Sequence, residues 1–576
     1  MVSNFSGFLT DSQLSRAKSS IENLTNGASA FQLNDLPACS VENAKITQKY
    51  GKEITDSIGY WIQEGFACGP FDYPPVDRFR VNSLLAVPQE GKVRPVLNVS
   101  LPDGHSFNDN IDINLMEKVH MSSAREFGYL IMKCGRNALM SKFDLKDAYK
   151  NIPAKINDLR LQGFKWLNKF FIDISQIFGA RSAVSNFDTT NHTITDLAVI
   201  VSETLPELVL RHLDDVPTVG PADKQYCQNF SREYMNICNE LNLKLAQNCP
   251  NNEKAFCNDT YGKVLGYWFD TEKLCWRLPE NKRSETLELI DNALKNDFLT
   301  IKAVQKLVGK LNSACLLCPF MSIFKRNLNV CLSKTVNTNY DSVRISPEAK
   351  KDLKVWVGFL TDPEDWIPIP TMPCSPPINH KVFTSDAGGL SNNHKDSGVA
   401  SFGVNEENEV IFCVQFIWNQ KMLISPYPDG SGVIGENSLF LEFVGVILPF
   451  ILVPEQVQNQ HIVCLVDNTG CYSGWLRKNV KNDVLTSILI RALVLIASYC
   501  ECIVHIDHLP RMSTSTARMV DRMSRIHTTS RGDSSLLQSY EHLRLPVFFR
   551  VWLDRPVVDW SLPDRLLAFV VKKVNK

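Results

Sequence analysis

Three things are scarce in this 576-residue chain, and each scarcity closes off a class of function. Net charge is close to nil, with 61 Lys and Arg against 62 Asp and Glu, so any attraction to a phosphate backbone has to come from local clusters. Long apolar runs are missing. The most apolar window, "LFLEFVGVILPFILVP", carries Glu442 and proline and is too short to span a bilayer. The start, "MVSNFSGFLTDSQLSRAKSS", has no apolar stretch of the secretory kind, so an intracellular location, cytoplasmic or nuclear, is expected. Paired cysteines are rare as well: of 17, only Cys315 and Cys318 form a C-x-x-C. That pair lies in an apolar helical pattern with no second Cys or His pair nearby, which predicts buried thiols and not a zinc site. No repeat of fixed period and no long low-complexity tract occurs.

What is present is ordinary globular material, 44% hydrophobic and 21% charged, in a length that exceeds one hydrophobic core. The first 60 or so residues are polar, with mixed helical patterning and no assignable chemistry. Extended segments follow. "SLLAVPQEGKVRPVLNV" predicts two strands about a Glu-Gly turn, "NALMSKFDL" a strand, "SNFDTTNHTITDLAVIVSETL" a helix, and "LPELVLRHLDDVPTVG" two strand-like runs. "KVLGYWFDTEKLCWRLP" fits a hairpin, and "SETLELIDNALKN" with "TIKAVQKLVGKLNSACLL" fits a helical pair. A Pro-rich stretch, "DPEDWIPIPTMPCSPPINH", predicts a linker, after which strand and helix patterns alternate as in an α/β domain.

The stretch "RHLDDVPTVG", residues 211–220, sets Asp214 and Asp215 side by side, for which a surface turn is the ordinary reading. Asp144, at the end of the apolar run in "SKFDL", adds a third acid at a strand end. If the strands are neighbours, three carboxylates converge, and cations must hold them together. Magnesium favours carboxylate oxygens with substrate phosphates, and two ions roughly 4 Å apart serve in-line nucleotidyl transfer. Tyr149 in "DLKDAY" could lie beneath an incoming sugar and exclude a 2′-hydroxyl. Lys92 and Arg94 alternate on one strand face, suited to a triphosphate. A core aromatic and solvated edge-strand charges are the plainer alternatives.

A second acid set has different spacing. Asp386 in "FTSDAGG" ends a strand, Glu442 sits in an apolar helix, Asp467 in "VCLVDNTG" ends another strand, and Asp521 in "ARMVDRMSR" begins or lines a late helix. Lone carboxylates in such surroundings are costly, and a shared metal pair removes the cost.

The ordered succession "GPFDYPP", "KVRPVLNVSLPDGHSFNDNI", "FDLKDAYKNIP", "FGARSAVSNF", "HLDD" and "VLGYWFDTEKLCWRLP" resembles the reverse transcriptase of retrotransposons, most closely the DIRS-like group and more distantly the gypsy type. The later Asp, Glu, Asp, Asp order resembles the ribonuclease H that follows it in these elements. The resemblance implies an α/β multidomain chain: a right-hand polymerase (fingers, palm, helical thumb) followed by a ribonuclease H-like α/β domain. Its implied parts are an unassigned extension (1–60), fingers and palm (61–280), thumb (281–345), linker or connection (346–380), nuclease (381–530) and an unassigned tail (531–576).

The same resemblance implies roles. Asp144, Asp214 and Asp215 would be metal ligands, Tyr149 the sugar gate, and Lys92 and Arg94 triphosphate contacts. Phe178 and Gly179 would lie against the nascent pair, and Lys254 near the leaving pyrophosphate. Asp386, Glu442, Asp467 and Asp521 would hold the ions that direct water onto the RNA strand of a hybrid. Two Mg²⁺ per site, with Mn²⁺ as a substitute, are implied, as are RNA template, DNA primer and product, RNA–DNA hybrid and dNTPs as partners. The chain departs from the pattern at His212, where the family has Tyr, at Val184, where it has Pro, and in the Ser and Thr that replace an Asn of the nuclease motif. His505 and His508 are read as structural. Two other readings stay open: a scaffold that keeps both folds without catalysis, although all seven carboxylates are present, and a DNA-templated polymerase of the same palm type.

Overall fold

The structure, a computed structural model, describes residues 9–575 apart from 90–91, 247–250, 336–340, 363–365, 370–379, 391–396, 479, 481–482, 511–512 and 526–527. The chain divides into two compact units, Met1–Pro279 with Trp366–Thr371, and Glu280–Asp365 with Met372–Lys576. Both are mixed α/β, the class the residue pattern predicts.

The first unit begins with helix α1 (Asp11–Asn26), where Thr10 and Gln13 form a capping box. Strands β1 (Arg80–Gln89) and β2 (Lys92–Asn98) pair antiparallel as expected, although their Glu-Gly turn lies outside the described residues. β1 also runs parallel to Gly163–Trp166 and, at the edge, to Cys39–Ser40. The N-terminal extension is therefore part of the fold: it supplies an edge strand and a helix.

A second sheet has β3 (Leu139–Asp144) at its centre, antiparallel to β4 (Asp215–Gly220) and to β5 (Phe256–Asp259). Helix α2 (Arg181–Ser202) is rich in buried Thr, Ser and Asn. It tolerates burial because hydroxyls bond back one turn, Thr189 to the Ser185 carbonyl (2.9 Å) and Thr195 to that of Asn191 (2.7 Å). Helix α1 lies on this polar helix through Ser20 and Thr193 (hydroxyls 2.8 Å apart) and an Arg16–Asp196 ion pair at 2.7 Å. The run before the Asp pair differs from expectation. It begins in a 3₁₀ turn at Pro206 and touches β4 only at the isolated bridges Val209–Thr218 and His212–Asp215, so no full strand forms. The hairpin at Tyr267–Asp270 and Cys275–Arg277 forms as expected.

In the second unit the expected helical pair spans Glu280–Lys295 and Ile301–Ala314. The segment 346–380, implied as linker or connection, opens with helix α3 (Pro347–Thr361). Ser346 caps it, Pro347 opens it, and Leu353, Trp356 and Leu360 recur at helical spacing and are buried. Its Asp352 is 1% exposed, accepts from Asn327 Nδ2 (2.9 Å) and pairs with Arg491. The Pro-rich remainder lies mostly outside the described residues.

A five-stranded sheet follows, with β6 (Lys381–Ala387), β7 (Gly398–Val404), β8 (Val410–Ile417), β9 (His461–Val466) and β10 (Ile503–His508) in the order β8-β7-β6-β9-β10. β6, β9 and β10 are mutually parallel, while β7 and β8 run antiparallel to their neighbours. Helix α4 (Ser438–Leu452) is apolar almost all round and accordingly buried, while α5 (Val484–Tyr499) carries Arg491. Helix α6 (Ser515–Ser524) carries Asp521. The tail folds as helices at Arg531–Ser539, Val547–Asp554 and Leu562–Val574, the last packed on α5. Among the described residues no helix is long and apolar enough to cross a membrane.

Candidate active sites

In the first unit, register brings two of the predicted acids together. Asp144 ends β3 directly across from Asp215, which opens β4. Side chains of such a pair share a face, with roughly 5 Å between their Cβ atoms. The turn before β4 explains how neighbouring acids are tolerated. His212 and Asp215 bond each other's backbone in both directions (2.9 and 3.1 Å), leaving Leu213 and Asp214 at the tip of a tight turn. Leu213 has φ +54°, a left-handed conformation costly for a branched side chain. Asn191 on α2 supports it by donating to the Leu213 carbonyl (2.7 Å), and the buried Tyr234 hydroxyl donates to Asn191 (3.1 Å). Asp214 is exposed, and Asp215 is half-buried behind it. The pair therefore lies in a tight turn, the ordinary reading, with Asp214 at its tip.

Asp144 and Asp214 face a cleft of about 1120 Å³, which Lys92, Arg94, Tyr149, Phe178 and Lys254 also line. Lys146, Lys150 and Lys244, which the sequence reading missed, bring its cationic side chains to six. Such a lining suits a polyanion. Arg94 lies 5.2 Å from the Phe178 ring centre, and the Tyr149 ring packs between Phe178 (5.8 Å) and Phe187 (5.4 Å). Gly179 does not line the cleft. With φ +106°, it takes its place through its carbonyl, which accepts from Asn108 Nδ2 (2.9 Å). His212 also stays out of the acid set: its Nδ1–H donates to the Ser122 carbonyl at 2.7 Å, anchoring the segment before the turn.

Burial pushes Asp144 above the usual carboxylate range, against the pull of Lys254, whose Nζ is 3.7 Å from Oδ2. Burial likewise raises Asp215 to about 6, opposed by Lys142 and reinforced by Asp214 and Asp144. The Tyr149 hydroxyl is pushed up to about 12 by burial and by Asp214, so it stays protonated.

The second set is tighter. Asp386 at the end of β6, Glu442 on α4 and Asp467 just past β9 bring carboxylate oxygens within 4.8 Å of one another. Among the described residues no other group of three such side chains does so, including the first set. Gly445, one turn after Glu442, allows the close approach: a Cβ there would lie 2.9 Å from that of Ser385 on β6. Glu442 is 4% exposed and its Oε2 has no hydrogen-bond partner. Burial, then the Asp386 and Asp467 charges, hold it well above the usual range. An all-oxygen donor set with an orphaned, buried oxygen fits a hard divalent cation such as magnesium.

Asp521 does not join the three, but lines with Asp386 and Asp467 a void of about 20 Å³, enough for one water-sized sphere. Arg525 donates to it at 3.0 Å, and the Ser524 hydroxyl donates to Asp386. His508 Nε2–H donates to the backbone carbonyl of Asp467 (3.1 Å), and the His505 ring faces that of His461.

No protein-family model matches the chain, and no curated protein matches it. Among solved structures it is similar to a foamy viral protease–reverse transcriptase dRH in complex with double-stranded DNA, at 12% identity over 88% of this chain and 80% of that one, with a TM-score of 0.47. A foamy viral protease–reverse transcriptase with double-stranded DNA matches at 13% identity over 88% and 95%, TM-score 0.46. The same kind of protein with an RNA/DNA hybrid matches at 10% identity over 92% and 84%, TM-score 0.42.

Proposed function

We propose that the chain is an RNA-directed DNA polymerase with ribonuclease H activity, of the retrotransposon type and nearest the DIRS-like group. The observation that carries the reading is that one device occurs twice: acids at the ends of adjacent strands, each set facing a cavity. Asp144, Asp214 and Asp215 form the polymerase set in the palm, and Asp386, Glu442, Asp467 and Asp521 the nuclease set. Two magnesium ions per set, when bound, would neutralise the acids and stabilise the attacking and leaving oxygens. Lys92 and Arg94 would hold the triphosphate of a dNTP, and Lys254 would stand near the departing pyrophosphate. Tyr149, kept rigid by two Phe rings, would bar a 2′-hydroxyl, while Phe178 and Gly179 would back the nascent pair. RNA template, DNA primer and their hybrid would lie along the cationic cleft.

The test is primer extension on an RNA template together with cleavage of a labelled RNA–DNA hybrid. Asp214→Asn is expected to lose extension by roughly 10²–10³-fold and retain cleavage, and Asp467→Asn the reverse. Unimpaired extension in Asp214→Asn would overturn the polymerase site. A protein that binds hybrid but performs neither reaction would be a scaffold.

A further inference from the structure

The centre of β3 holds a charge that the polymerase reading leaves unused. Lys142 is 6% exposed, two residues before Asp144, in a strand that is otherwise mostly apolar. Register fixes its direction. Asp144 pairs with Asp215, and Lys142 with Pro217, so all four side chains share one face of the sheet. On the other side Lys142 pairs with Phe256. Its two cross-strand partners are thus apolar, and the nearest acids on that face are Asp144 and, diagonally, Asp215. A diagonal pair lies roughly 7–8 Å apart, within reach of a long side chain.

The ammonium donates to the Glu253 carbonyl at 3.2 Å. A carbonyl satisfies a proton but not a charge, and a buried charge is stable only near a countercharge. The Glu253 carboxylate, which Lys142 also attracts, is bonded by Lys263 at 2.6 Å, whereas Asp215 feels Lys142 ahead of every other charge. Lys254, the other cation beside Asp144, has a side chain 64% exposed and can withdraw into solvent. Lys142 cannot.

We propose, resting on the polymerase reading, that Lys142 is a resident counter-cation of the first acid set, a positioning residue that offsets part of its negative charge and weakens its hold on divalent ions. Among the described residues that line the cavity of the second set there is no Lys or Arg, and its one cationic neighbour, Arg525, pairs with Asp521 at 3.0 Å with a side chain 44% exposed. A unit charge at the diagonal separation changes the affinity for a divalent ion several-fold at the dielectric of bulk water and roughly 10³-fold at an effective value of about 20, so about tenfold is the lower end of the expected effect.

The probe is Mn²⁺ binding followed by electron paramagnetic resonance at pH 8, in the full chain with the second set disabled by Asp386→Asn and Asp467→Asn. Lys142→Met is expected to bind Mn²⁺ roughly tenfold more tightly, and Lys142→Arg to match the parent. Unchanged affinity in Lys142→Met overturns the inference. If Asp144→Asn with Asp214→Asn leaves Mn²⁺ binding intact, the polymerase site itself is wrong, which is a separate result. A thermal cycle supplies a second readout: Asp215→Asn, which removes a buried charge, should raise Tm more in Lys142→Met than in the parent, and equal shifts overturn the inference. A Lys142→Met chain that folds only with Asp215→Asn added also supports it, and one that folds in neither background overturns it.

Discussion

The two acid sets meet the same electrostatic problem in opposite surroundings. In the first, Asp214 stands exposed on a turn, the cleft carries six cationic side chains, and Lys254 lies 3.7 Å from Asp144. In the second, three carboxylates close to within 4.8 Å inside an apolar packing, and one Glu442 oxygen has no partner. On the proposed reading, the first site admits a long polyanion and a triphosphate, which requires fixed positive charge and space. A site that only cuts a phosphodiester can depend on the ions it collects. The supporting helices follow suit, polar α2 under the first set and apolar α4 behind the second.

The largest break in this contrast should come from the helix contact behind the second set. Gly445→Val puts a branched side chain where a Cβ alone would lie 2.9 Å from Ser385, so α4 must lift from β6 and carry Glu442 with it. Hybrid cleavage is expected to fall roughly 10²-fold, as for a 1 Å misplacement, with primer extension within about twofold. Equal loss of both would mean that the sets are not separately supported.

Next in size is the cost of the lone acid. Glu442→Gln should stabilise the metal-free chain by about 2 kcal/mol, because a buried acid without a full partner set is removed. In magnesium the order should reverse, since only the parent gains from bound ions. Melting curves in EDTA and in Mg²⁺ read both, and a variant that responds to Mg²⁺ as the parent does would contradict the assignment.

A smaller effect is expected under the first set. Asn191→Leu leaves the Leu213 carbonyl and the Tyr234 hydroxyl without their partner, at a cost of about 1–2 kcal/mol in urea unfolding. Extension should drop while cleavage holds, because only the Asp214 turn loses its support. The pH response bears on the same set. Asp215 sits at about 6 in the fold against about 3.9 unfolded. Its stabilising proton is therefore whole below about pH 4 and lost as pH rises through about 6. Metal-free Tm should decline across that window, less so in Asp215→Asn, while affinity for Mg²⁺ climbs as the proton leaves.

How much of this was legible beforehand depends on distance along the chain. Acids at the ends of strand-like runs, Asp144, Asp386 and Asp467, stand out locally, and so does Glu442 in its apolar helix. The hairpin, the helical pair and the alternating pattern after the linker are also local signals. Long-range partners are not. Nothing near Ser20 reveals that its hydroxyl meets Thr193, and nothing in "KLAQNCPNNEK" announces that Lys254 approaches Asp144. The prolines that mark 362–380 as a linker draw the eye past the segment just before it, where Ser346, Pro347 and the Leu353, Trp356, Leu360 spacing spell a capped helix. The short run at 208–213 has strand composition, yet too few neighbours to make one. Asp521 showed only as an acid on a late helix, and its place at the rim of the void, held by Arg525, is a tertiary fact.

Asp352 of α3 and Arg491 of α5 have one further consequence. The carboxylate is 1% exposed, and the guanidinium packs 4.5 Å from the Phe324 ring centre. Anyone trimming the gene to obtain a free-standing hydrolase, by cutting near residue 380, would strip that arginine of its anion and its aromatic lid together. The excised piece would be expected to express poorly and clump, and a poor yield would speak to where the cut was made, not to whether the pocket works.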